Sequence, residues 1–259
     1  MTGSLEQFVG PVSDVGVAIV LVTVIIAGFL RGFLGFGGAL IIIMVVNVVV
    51  GPQFAVPLAC LAGLPPTLQL LPAAIRHSDR SFALPFGGMS LLMVPVGTLV
   101  LVKFDPGLMK IIVSGVVLAM VLLLYQGWTF RQKANLSVVL GAGAFTGLIQ
   151  GATGVAGPLV VAAAMAIPGE PEKQRANVIG AITFLSFFPA IPLWYHGMFT
   201  REVVIASLAI IPIYMVTTWI GVRYFSGQGH RIYRLATLVA LTMISLVTLW
   251  ISVRDYLAG

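Results

Sequence analysis

Residues 28–40 read GFLRGFLGFGGAL, and the fold turns on how this stretch is read. It lies inside one long apolar run whose only charged side chain is Arg31. The pattern returns as GLIQGATGVAGPL over residues 147–159, at one fixed offset. Gly28 falls on Gly147, Gly32 on Gly151, Gly35 on Gly154, Gly38 on Gly157 and Leu40 on Leu159. Polar Arg31 falls on polar Gln150. In the same register Pro52 matches Pro171, His77 matches His196 and Ser81 matches Thr200. Glycines, a proline and a histidine aligned over residues 28–81 point to a duplicated unit.

Composition sets the solvent. Of the 259 residues 59% are hydrophobic and only 8% charged, with a mean hydropathy of +1.08. A soluble domain carries about a quarter charged residues. One fold cannot hide this much apolar surface from water, so lipid must cover most of it. The net charge of +6 is spread over many short loops, which argues against a nucleic-acid patch and suits loops at an anionic leaflet. Cys60 is the only cysteine, which excludes an intramolecular disulfide and a multi-cysteine metal site. The start, MTGSLEQFVG, lacks the basic region of a cleaved leader, so the first apolar run is expected to stay.

Apolar segments cover residues 12–30, 37–50, 54–75, 82–102 and 107–128, then 136–149, 155–167, 174–195, 203–222 and 232–253. They are expected to be helices, because unpaired backbone cannot face hydrocarbon and nothing alternates like barrel strands. Residues 1–128 form a first membrane repeat, 129–135 a cytoplasmic linker and 136–259 a second repeat. Segments 37–50, 136–149 and 155–167 fall short of the roughly 20 residues of a full span, which favours hairpins. Pro65, Pro66 and Pro72 are expected to break the third segment, with Pro189 and Pro192 in its counterpart.

The basic residues test topology. With an odd number of crossings per half and the N-terminus outside, Arg31, Arg76, Arg80, Arg131, Lys133, Lys173, Arg175, Arg223, Arg231 and Arg234 lie toward the cytoplasm. Only Lys103, Lys110, Arg201 and Arg254 then lie outside, whereas four crossings per half leave no bias. The expected fold is an all-α integral membrane protein of two inverted repeats. Each holds about five embedded segments, with glycine-rich broken helices or hairpins meeting near the midplane.

Irregular backbone survives in a membrane only where it is buried in protein or lines a cavity. Helices starting after such breaks aim positive N-terminal ends at them, and Arg31 adds bidentate oxyanion geometry. Arg31, Gly35, Gly37 and Gly38 from one break, with Gln150, Thr153, Gly154 and Gly157 from the other, are expected to enclose a small anion. The plainer reading is that small residues at this spacing let helices touch, and that Arg31 snorkels or serves as a structural ion. An ion channel is the alternative function, since Gly35-Phe36-Gly37 is similar to the GFG of a potassium filter. The second copy reads Gly154-Val155-Ala156, so the duplication did not keep that triplet.

His77 and His196 sit at equivalent loop positions and are candidates for gating or proton coupling, or simply interfacial residues. Cys60 reads as a small buried hydrophobe. Asn47, Thr67, Gln69, Thr153, Asn177, Thr183 and Ser186 read as interhelical hydrogen-bonding groups, Thr153 excepted for its place in the second break. There is no HExxH, no Walker A sequence and no acidic pair within a segment. Asp79, Asp105, Glu170, Glu172, Glu202 and Asp255 fall at loops or their edges. No enzyme activity, cofactor or metal is expected.

LRGFLGFGGALIII followed by a loop proline, GLIQGATGVAGPL in the second half and the basic GHRIYRL before the last segment resemble the TauE/SafE sulfite exporter family. The resemblance extends over nearly the whole chain. It departs from the commoner GxGGG form at Ala39 and Ala156. It implies a multi-pass inner-membrane permease for sulfite, organosulfonates or related sulfur-containing anions. The partners implied are that anionic substrate and membrane lipid, with a homodimer left open.

Overall fold

The computed structural model describes residues 14–34, 37–125, 135–165 and 171–224, with isolated positions 246, 249–251, 253, 254 and 257. The expected linker falls almost wholly outside these residues, and so does most of the segment at 232–253. The described residues are helical, without strands. In chain order the helices are α1 (Asp14–Leu34), α2 (Gly38–Val49), α3 (Pro52–His77), α4 (Arg80–Lys103) and α5 (Pro106–Tyr125). Then come α6 (Leu136–Thr153), α7 (Gly157–Met165), α8 (Pro171–Phe187), α9 (Ala190–Tyr195) and α10 (Arg201–Tyr224).

Four stretches are long and apolar enough to cross a membrane: Arg80–Lys103, Leu136–Thr153, Asn177–Tyr195 and Arg201–Arg223. Shorter apolar helical runs accompany them at Ala18–Gly32, Gly38–Val49 and Pro106–Met120. Leu84, Leu92, Phe145, Ile191, Trp194 and Leu208 are exposed on the outer surface, as suits lipid rather than water as solvent. The chain is an integral membrane protein.

Local chemistry sets the helix ends. The Asp79 carboxylate accepts from the Ser81 amide at 3.0 Å and opens α4, while the Asn135 side chain accepts from the Val138 amide at 3.0 Å and opens α6. α6 ends where Gly154 takes φ +71° and donates its amide to the Gln150 carbonyl at 2.8 Å. Gly37, at φ +92°, precedes α2. A Cβ on Gly38 would lie 2.7 Å from the Ala27 carbonyl oxygen and 2.9 Å from the Arg31 Cβ. The chain therefore doubles back along α1 after Leu34 instead of extending it.

Two helix pairs pack at backbone distance. Gly143, Gly147 and Gly151 of α6 lie on Phe86, Ser90 and Val94 of α4, and Ser90 donates its hydroxyl to the Gly143 carbonyl at 2.9 Å. Gly28 and Gly32 of α1 lie on Tyr214 and Thr218 of α10. Residue numbers rise together in both pairs, so each pair runs parallel. Glycine permits the approach because any side chain would strike the neighbouring backbone. Val24, Ile42, Val56, Met109 and Tyr214 fill one core, from α1, α2, α3, α5 and α10. Phe82, Phe86, Val139, Val160 and Ala181 fill a second, from α4, α6, α7 and α8.

The expectation at the prolines needs correction. α3 stays helical from Pro52 to His77, through Pro65, Pro66 and Pro72. A proline in a membrane helix leaves carbonyls short of donors, and nearby hydroxyls and neighbouring helices can make up the loss. The Thr67 hydroxyl donates to the Gly63 carbonyl at 2.7 Å, beside the two prolines. The counterpart does break, where α8 ends at Phe187 and Pro189 opens α9. The sixth segment also extends to Thr153, four residues past the expected end.

Candidate functional site

Arg31 sits in the last turn of α1 and is only 4% exposed. Its Nη2 donates to the Thr67 hydroxyl and to the Gly63 carbonyl at 3.4 Å, both on α3. The guanidinium carbon stands 5.9 Å from the ring centroid of buried Tyr214 on α10. Its Nε is buried without a hydrogen-bond partner, and no carboxylate pairs with the side chain among the described residues. A buried guanidinium without a counter-ion is costly, and its donors are incompletely used. Snorkelling to the interface does not describe this side chain.

Arg31 opens onto two adjoining cavities. The first, about 60 Å³, is lined by Arg31, Gly37, Ala39, Leu40, Gln150, Gly154, Val155, Ala156, Gly157, Pro158, Ile182, Leu185 and Ser186. The second, about 40 Å³, shares Arg31, Ala39, Gln150, Gly154 and Ser186 and adds Val56, Ala59, Cys60, Gly63 and Pro189. The first turns of α2 and α7 thus form part of the first wall, where unpaired amides give helix N-termini a partial positive charge. Among the described residues there is no group of three or more His, Cys, Asp or Glu that could hold a metal.

The expected site residues divide. Arg31, Gly37, Gln150, Gly154 and Gly157 line the first cavity together. The Gln150 side chain also donates to the Leu185 carbonyl at 3.3 Å, which ties α6 to α8. Gly38 instead packs against α1, where a side chain would strike Tyr214 and the Ala27 carbonyl. The Thr153 hydroxyl is spent on the turn, donating to the Ile149 carbonyl at 2.8 Å and accepting from the Val155 amide at 3.2 Å. Gly35 lies outside the described residues, as does the side chain of His77. His196 closes α9, half-buried, with its ring edge-on to the exposed Tyr195 at 5.2 Å.

Other groups entered the site without a sequence signal for it. By sequence Thr67 is only an interhelical hydrogen-bonding residue, yet its hydroxyl holds the guanidinium. Ser186 and Cys60 line a cavity, and Cys60 faces the Ser186 carbonyl at 3.9 Å. Asn177 does bridge elements as expected, accepting from the Asp79 amide at 2.6 Å. Thr183 and Ser186 bond back into their own helix, to Ile179 at 2.8 Å and Ile182 at 2.9 Å. Asn47 is fully buried with both polar atoms unpartnered, and the Gln69 side chain lies outside the described residues.

The described residues thus form a polytopic helical membrane protein with a buried arginine at a small internal cavity. The family model described as Sulfite exporter TauE/SafE matches residues 20–248, and the chain belongs to that family of membrane transport proteins. Neither the comparison with curated proteins nor that with solved structures returned a match.

Proposed function

We propose that the protein is a secondary transporter exporting a small sulfur-containing anion, sulfite or an organosulfonate, from the cytoplasm across the inner membrane. The observation that carries this reading is Arg31, buried, without a carboxylate partner among the described residues, and opening onto a cavity walled by the starts of α2 and α7. The cavity holds several times the space that one water needs, which suits a small oxyanion. Arg31, Gly37, Gln150, Gly154 and Gly157 contact the anion. Gly38 and Thr153 brace the backbone around the site.

The two halves, residues 1–128 and 136–259 joined by a cytoplasmic linker at 129–135, act as inverted repeats with the N-terminus outside. The parallel pairings of α4 with α6 and of α10 with α1 support this, because the fourth apolar segment of each half lies on the first of the other. The doubled-back α1–α2 connection supports the hairpin form of the first break. Alternating access rocks one part past the other around the anion. The driving force is a gradient, since the sequence carries no Walker A motif. A membrane potential positive outside favours anion exit by about 2.3 kcal/mol per charge per 100 mV. On this reading His77 and His196, at equivalent positions of the two inverted halves, serve gating or proton coupling.

Radiolabelled sulfite flux in proteoliposomes, with and without a pH gradient, tests the proposal. Saturable flux that responds to the gradient or the potential is expected. Flux that never saturates and carries single-channel currents would assign the protein to the channels instead.

A further inference from the structure

Resting on that reading, we infer that the second cavity is a subsite for a short apolar substituent, so that the preferred cargo is an alkanesulfonate of one or two carbons. The two cavities share Arg31, Ala39, Gln150, Gly154 and Ser186 and differ in their remaining walls. The first takes in the starts of α2 and α7, through Leu40 and Gly157, which suits a charged headgroup. The second is completed by Val56, Ala59, Cys60 and Pro189, with the Gly63 backbone already holding Arg31. An anion seated on Arg31 in the first cavity would point any fourth substituent on its sulfur toward these apolar walls. The second cavity, at about 40 Å³, is sized for roughly three waters, close to an ethyl group.

Each buried methylene improves affinity about fourfold, and a chain outgrowing its cavity must displace packed neighbours. Methane-, ethane-, propane- and butanesulfonate keep the headgroup and its single charge constant. Their dissociation constants for the purified protein in detergent, read by calorimetry or by ligand-induced thermal stabilisation, are expected to fall about fourfold from methane- to ethanesulfonate and then rise. Cys60→Leu fills the cavity and should abolish or reverse the ethane-over-methane preference. Cys60→Ala enlarges it and should move the optimum toward propanesulfonate, an opposite change that misfolding cannot imitate. A flat series, a steady decline from methanesulfonate, or a chain-length preference untouched by both variants would overturn the subsite. The expected binding pattern without flux of either sulfite or ethanesulfonate would leave the subsite standing and remove the transport reading. No binding by any sulfonate, with saturable sulfite flux intact, would remove the subsite and leave the transport reading standing.

Discussion

Arg31 and Thr67 join the end of α1 to the middle of α3: the guanidinium donates to the threonine hydroxyl, which in turn donates a hydrogen bond to the Gly63 carbonyl at 2.7 Å. The relay holds the charge where the two cavities meet. It also ties the helix carrying the first glycine-rich turn to the proline-rich helix behind it.

Thr67→Val keeps the shape and removes the hydroxyl. A hydrogen bond to a charged group contributes about 1.5 kcal/mol or more, so anion affinity should fall roughly tenfold. The measurement is the concentration dependence of sulfite flux, normalised to inserted protein. Thr67→Ser, which keeps the hydroxyl, should recover most of the loss.

Gly97 and Gly88 lie on the same helix and should respond in opposite ways to alanine. A Cβ at Gly97 would collide with the Leu148 carbonyl and stand 2.8 Å from the Ala152 amide, whereas a Cβ at Gly88 meets nothing within 4 Å. Gly97→Ala should destabilise by about 2 kcal/mol through forced separation of α4 and α6. Gly88→Ala should be neutral or slightly stabilising. Thermal midpoints in detergent distinguish the two.

Gly154→Ala meets two penalties. At φ +71° a side chain costs about 1–2 kcal/mol, and the new methyl would lie 2.6 Å from the Ile43 Cδ1. The variant should lose thermal stability and transport together. Adding Ile43→Val removes the clashing methyl and should return part of the stability, leaving the backbone cost in place.

How much of this was legible beforehand follows from what a residue type can encode. Arg31 announced itself because a charge inside an apolar run has few explanations, and helix ends near Gly37 and Gly154 followed from glycine at the required positions. The close approach of α4 to α6 was written in Gly143, Gly147 and Gly151, but the partner helix was not, since a small residue does not name its neighbour. Pro65 and Pro66 misled because a proline's effect depends on which groups serve the carbonyls around it. Thr153 misled for a related reason: a hydroxyl in a turn can serve the backbone or the cavity, and only the geometry decides. Cys60, Ser186 and the tether at Thr67 reach the site from helices distant in sequence, so no local pattern could have gathered them.

The most direct measurement is sulfite flux into proteoliposomes by Arg31→Ala and Arg31→Lys, each checked for correct insertion and folding. Removing the buried charge should abolish saturable flux, and lysine, which lacks the bidentate fork, should recover only a small fraction of it. Undiminished saturable transport by correctly inserted Arg31→Ala would contradict the account.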